Sequence, residues 1–363
     1  MRAPLALALT LAAAAAQAQT AAPAQPPPAA PAAPVTNATA AGSTGLALRP
    51  GLEAFAQYGV RLTNTDAGGL DVFHAFDVPR VHASLEGEYE HARARVVAEA
   101  VRSASEGALL GVAGDSILLR VREAWGGWSS PRLDVRAGVV PTLTVPEVES
   151  TWGLRAVTST PLEATRLVAP ADLGVTARYQ LPGGRGSVAL GAYNGEGYAQ
   201  REFNRGKNLE AFALVRPLVG TAAAPLCAFA SYVLGTSGLG DGRADRFTGG
   251  VLWRGVRVRG GATFTWAWGA DDRPDRESWL AEAFVAAEPV GALIVGARFL
   301  RWQRDVSVDT DRVTSVVATV GWRVARPWEV FLAGTRSIPG GRAAQALPGS
   351  DHWDLRAVSR VVF

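Results

Sequence analysis

One feature limits this chain more than any other: a hydrophobic period of two residues that returns along most of its length. In RVRGGATFTWAWG, Arg257, Arg259, Thr263 and Thr265 share one face, while Val258, Gly260, Ala262, Phe264, Trp266 and Trp268 share the other. In RVTSVVATVGWRV, Val316, Ala318, Val320 and Trp322 oppose Ser315, Thr319 and Arg323. The last segment sets Trp353, Leu355, Ala357, Ser359, Val361 and Phe363 against Asp354, Arg356, Val358, Arg360 and Val362. A period of two is that of a strand whose faces meet different media. Helical periodicity is absent, and after the first residues no apolar run is long enough for a spanning helix.

Such segments, each of about ten residues, recur about sixteen times, the even number a single-chain outer-membrane barrel requires. Short connections such as Glu90–Ala92, Leu181–Gly186 and Ala325–Pro327 alternate with long polar ones such as NTDAGGLDVFHAFD, SASEGALLGVAGD, GADDRPDRE and SIPGGRAAQALPGS. That asymmetry matches the periplasmic and extracellular ends of a barrel. The expected fold is therefore all-β: a single transmembrane antiparallel β-barrel of about sixteen strands. Its longest connection, residues 141–172, follows the fifth strand and is expected to fold inward as a long third loop, since a stretch that long is rarely idle. A soluble β-sandwich is the competing architecture, but its facing rows need an apolar core, and the rows here carry arginine. NLEAFALVRPL and LCAFASYVLG are apolar on both faces, so pattern alone does not assign their inward side; bordering a subunit contact is one reading.

The N-terminal residues set the compartment. MRAPLALALTLAAAAAQAQT has a basic start, an Ala-rich apolar stretch and an Ala16-Gln17-Ala18 cleavage signature, so residues 1–18 are expected to be a signal peptide. Residues 19–45, rich in Pro and Ala and nearly free of charge, read as an extended periplasmic linker. Residues 46–363 form the barrel, placed in the bacterial outer membrane. One cysteine, Cys227, leaves no internal disulfide framework or thiolate metal site. The net charge of +3 is bland and no nucleic-acid partner, cofactor or metal is expected. Lys207 is the sole lysine, so the positive charge is almost all guanidinium.

Sixteen strands enclose a water-filled lumen rather than a packed core, and arginine on the lipid face would cost about 2–4 kcal/mol at mid-membrane. The arginines are thus assigned inward: Arg61, Arg80, Arg93, Arg95, Arg120, Arg122, Arg136, Arg178, Arg257, Arg259, Arg298, Arg323, Arg356 and Arg360. Guanidinium forks suit carboxylate and phosphate oxygens, and cationic rings favour anions. The opposing reading is that they pair with inward Glu86, Glu88, Glu99 and Asp134 and merely hold a wet wall together. His82, near Glu86, is the one histidine with a lumen position, but no Ser/His/Asp set follows from spacing.

LDVRAGVVPTLTVPE, ADLGVTARYQL and GSVALGAYNGEGY resemble the middle of the phosphate-selective porin O and P family. The likeness rests on Gly138 and Pro141 leading into the long loop, Asp172, Gly174 and Val175 opening the next strand, and Asn194-Gly195 closing its hairpin. The resemblance implies a sixteen-stranded, usually trimeric porin through which small hydrophilic solutes diffuse, with anions such as phosphate favoured. It also implies recognition of the terminal Phe363 by the barrel-assembly machinery. The family's lysine clusters are missing, and Ala171 stands where a basic residue often precedes Asp-Leu-Gly, which weakens the phosphate assignment. The alternative is a non-conducting barrel with a structural, adhesive or hydrolytic role.

Overall fold

The computed structural model describes residues 45–64, 69–102, 117–199, 205–237 and 242–363. The expected signal peptide and all but the end of the linker lie outside them. In order the strands are β1 (Ala47–Asn64), β2 (Leu70–Tyr89), β3 (Ala92–Arg102), β4 (Ile117–Ser129), β5 (Leu133–Pro141), β6 (Ala171–Gln180), β7 (Gly186–Tyr193), β8 (Asn208–Val215) and β9 (Leu226–Leu234). A small ribbon, β10 (Thr236–Ser237) with β11 (Gly242–Arg243), precedes β12 (Arg246–Arg254), β13 (Val258–Trp268), β14 (Glu277–Ala287), β15 (Leu293–Gln303), β16 (Arg312–Ala325), β17 (Trp328–Pro339) and β18 (His352–Val362). All but the ribbon form one closed antiparallel barrel of sixteen strands, sealed by β18 against β1 from Glu53↔Val362 to Thr63↔His352.

Closure is what lipid demands. No water is present in hydrocarbon to satisfy a free strand edge, so every backbone donor and acceptor must find a partner within the wall. The final residue takes part: Leu52 and Phe363 exchange backbone hydrogen bonds of 3.1 and 2.8 Å. Along β18 the outward row is exposed, with Leu355 at 54%, while Asp354 and Val358 on the inward row are buried. The alternation read from the sequence is therefore the alternation of the wall.

The first hairpin differs from expectation. NTDAGGLDVFHAFD is not mainly a loop, because β2 begins at Leu70 and pairs with β1 up to Asn64. A register shift at Phe55/Gln57 re-aims the pair, so the hairpin runs on as paired strand. The polar connection before β18 also carries structure, a short helix at Gly341–Ala346.

The motif residues prove architectural. Gly138 and Gly174 face each other across β5 and β6. A Cβ on Gly138 would lie 2.3 Å from the Ala124 carbonyl oxygen, and its φ of +123° is open only to glycine. Asp172 then closes the next hairpin: its carboxylate accepts from the backbone N–H of Leu173 and of Gly195, each at 2.7 Å. Placing a charge on the outer belt tests the wall assignment. Leu332→Arg, on the exposed row of β17, is expected to cost about 2–4 kcal/mol at mid-membrane depth, measured as a shift in reversible urea unfolding of the barrel in lipid vesicles.

Candidate functional site

The inner wall is divided. From β7 round to β18 much of it is apolar, including Phe212, Phe229, Leu252, Phe284 and Ile294, and against this half lies residues 142–170, the inward loop. The loop carries two helices, α1 (Val145–Trp152) and α2 (Pro161–Ala164). Pro146 fits the first turn of α1 because its missing N–H is one that no helical carbonyl would accept. Gly153, at φ +66°, ends it. Leu143, Val148, Trp152, Leu154 and Val157 bury their side chains on the wall. This explains β8 and β9, whose inward face the sequence left open: Glu210, Phe212, Leu214, Cys227, Phe229 and Ser231 are all buried there. Both their faces are apolar because one meets lipid and the other meets the loop.

Polar contacts fix the loop's position. The buried Glu210 carboxylate accepts from the Leu143 N–H (2.9 Å), the Thr144 hydroxyl (2.7 Å), the Tyr193 hydroxyl (3.0 Å) and the Ser231 hydroxyl (3.0 Å). At the loop's neck the Thr142 hydroxyl donates to the Ala169 carbonyl at 2.7 Å. Glu147 of α1 is held between Arg178 and Arg254, each at 2.6 Å. Burial works against its charge, yet those two guanidinia keep its carboxyl below the ordinary range. Arg298 lies over the Trp152 ring at 4.2 Å and donates to the Ser159 carbonyl at 2.7 Å.

Where the loop faces the opposite wall, charges crowd together. Glu99, fully buried, accepts from Arg120 (2.6 Å) and Tyr198 (2.8 Å), pairs with Arg80 (3.1 Å) and Arg122 (3.5 Å), and meets the His82 ring at 3.0 Å. From the loop, Glu163 reaches Arg80 at 3.2 Å and Arg155 at 2.8 Å, while Arg155 also bonds Glu149. Wall arginines and loop carboxylates thus meet across the middle of the lumen. On the periplasmic side of this contact a cavity of about 1940 Å³ extends from turn residues such as His91 and Pro327 up to Arg122 and Arg155.

The structure gives the sequence-derived arginines three kinds of place. Arg61, Arg93, Arg95, Arg136, Arg178, Arg259, Arg323, Arg356 and Arg360 face inward, each within 4 Å of a carboxylate; examples are Arg61–Asp354 at 3.0 Å, Arg93–Glu86 at 2.7 Å, Arg136–Asp134 at 2.6 Å and Arg360–Glu53 at 2.7 Å. Arg80, Arg120 and Arg122 join the central cluster. The remaining two differ from expectation. Arg298 is on the inner row but 3% exposed, paired with Glu282 at 3.5 Å, because the loop covers it. Arg257 precedes β13 in the tight turn after Arg254 and is exposed there, so it is not part of the wall.

Two arginines important to the arrangement were missed. Arg254 shares the inward row of β12 with Leu252 and Thr248, and alternation in RFTGGVLWR was enough to find it. Arg155 lies in the loop, where no period exists to assign a direction. The acids Glu53 and Glu329 were equally findable from their strands, whereas Glu288 lies in the turn after β14.

Comparison with solved structures gives the class. An anion-selective porin from Comamonas acidovorans matches at TM-score 0.62, 13% identity, over 88% of this chain and 100% of that one. The outer membrane channel DcaP of Acinetobacter baumannii matches at 0.58 and 11%, over 88% and 97%. OmpT, an outer membrane protein of Vibrio cholerae in its trimer form, matches at 0.57 and 13%, over 88% and 99%. No protein-family model matches the chain, and no curated protein matches it in sequence. The chain has the fold of the bacterial outer-membrane porins, and its exposed apolar belt places it in that membrane.

The loop's anchor is testable. Glu210→Ala removes one acceptor shared by four buried donors, each costing about 1–3 kcal/mol when left unsatisfied. We expect trypsin to cut the variant at Arg155 or Arg166 while the parent barrel stays intact, read as fragments on a gel.

Proposed function

We propose that this barrel is a passive channel for small hydrophilic solutes, with a preference for anions. The observation that carries it is an asymmetry within the ion pairs. The arginines are mostly the wetter partner: the Arg120 side chain is 33% exposed against 0% for Glu99, and Arg61 is 49% exposed against 11% for Asp354. Arg95, Arg136, Arg254 and Arg323 follow the same order against their acids. A solute in the lumen therefore meets guanidinium first, with carboxylates set behind it. Pairing makes the preference modest, since each cation is partly neutralised.

Phosphate is the candidate solute, supported by the resemblance around Gly138–Gly195 and by the fit of guanidinium forks to its oxygens. The absent lysine clusters argue for general anions over phosphate alone. A catalytic role has less support: both ring nitrogens of His82 lie against carboxylates, Glu53 at 3.5 Å and Glu99 at 3.0 Å, which leaves neither to serve as base for a hydroxyl. A homotrimer fits the trimeric Vibrio cholerae neighbour. The exposed Phe363 suits recognition by the assembly machinery.

Planar-bilayer recording tests the reading. Stepwise conductance with a reversal potential on the anion side of a KCl gradient is expected, and added phosphate should reduce the chloride current. Arg120→Glu should lower the anion-to-cation permeability ratio about fivefold to tenfold. A silent barrel would instead support the non-conducting alternative, in which the loop and its ion pairs close the lumen.

A further inference from the structure

The outer surface carries a second arginine site. On β15, Val295, Ala297, Phe299 and Arg301 make the outward row, since Ile294 and Arg298 between them are buried inward. On β16 the outward row includes Arg312, Thr314 and Val316, flanked by the buried Val313 and Val317. The register pairs Arg301 with Thr314 and Gln303 with Arg312. Arg301 and Arg312 are therefore diagonal neighbours on one face, about 7–8 Å apart at Cβ and within reach of each other for long side chains. They sit at the end of the barrel that carries the long loops, which is the extracellular end.

Two other arginines near that rim are neutralised. Arg336 bonds Asp351 and stacks on Trp353, and Arg243 bonds Asp245 at 2.6 Å and stacks on Trp268. Arg301 is unlike them: among the described residues it has no hydrogen-bond or ion-pair partner. Arg312 meets only the Asp309 carbonyl, at 3.3 Å. Below the pair the wall is apolar, with Phe299 and Val316 exposed.

We propose that Arg301 and Arg312 bind the phosphate of an outer-leaflet lipid, with its acyl chains lying on Phe299 and Val316. Charge and position together select this occupant. The two arginines are diagonal neighbours on one face, neither forms an ion pair with a carboxylate among the described residues, and phosphate oxygens match guanidinium geometry. The apolar strip leading down from them needs a ligand with chains, which a free ion does not have. An arginine on the lipid face is tolerated near the interface, where headgroups and water solvate it, and a headgroup phosphate supplies the missing partner. The site is independent of conduction, since neither side chain faces the lumen.

Native mass spectrometry of the full-length barrel in dodecyl-maltoside micelles tests it, using dihexanoyl phosphatidic acid and dihexanoyl phosphatidylcholine. The parent protein should bind the phosphatidic acid at least about tenfold more tightly, the scale of one charge-assisted contact. Arg301→Gln with Arg312→Gln should erase that preference, and R301K with R312K should retain part of it. Inorganic phosphate at equal concentration should leave the lipid bound. Equal affinity for the two lipids overturns the proposal. So does a preference that survives in a double Gln variant that still shows the heat-shifted gel band of a folded barrel. Full displacement by inorganic phosphate would reassign the pair to a free ion and also overturn it. Should the double variant not fold, Arg301→Gln alone decides, by losing the preference or keeping it.

Discussion

Backbone hydrogen bonding in a medium without water is the constraint from which the rest of this structure follows. A sheet placed in hydrocarbon has no solvent to satisfy its edges. Sixteen strands meet that condition by returning β18 to β1, with the last residue paired to Leu52. Once the sheet closes, side chains have only two destinations, lipid or lumen, and the strict alternation of the sequence is the record of that choice. Leu355 and Asp354 are adjacent in the chain and occupy opposite media.

Closure at this strand number creates a lumen, and the loop decides what becomes of it. Half the inner wall is apolar and would face water if bare. Residues 142–170 cover that half with Trp152, Leu154 and Val157, so the hydrophobic effect that usually builds a core instead seats a loop on a wall. The covered half holds buried charge at Glu210, which four donors satisfy, and at the Arg298–Glu282 pair, 3.5 Å apart. The opposite half keeps most of its arginines in contact with water, with carboxylates such as Glu99 buried behind them.

The charged side is a lattice of pairs rather than a row of bare cations. A guanidinium confined in a narrow space costs less beside a carboxylate, and nearly every inward arginine has one. Glu99 gathers Arg80, Arg120, Arg122 and His82 around one buried carboxylate, a set drawn from three strands. The electrostatic character of the lumen is then set less by how many charges there are than by which member of each pair stands nearer the water.

The sequence by itself determined the strand period, the strand count, the direction of the rows that carry charge on one face, and the position of the long loop. These are local properties, fixed by whether successive side chains meet oil or water, and a period of two reports that without any knowledge of neighbours. Partnership is different. Arg298 and Arg323 look alike in their strands, yet one is sealed beneath Trp152 and the other faces Glu288 and Glu329. Arg155 follows no period at all, and Arg257 follows the right period one residue beyond its strand. The apolar inner faces of β8 and β9 made no sense until the loop was seen against them. Only the tertiary structure decided these points, because each depends on which distant segment the closed wall brings within a few ångströms.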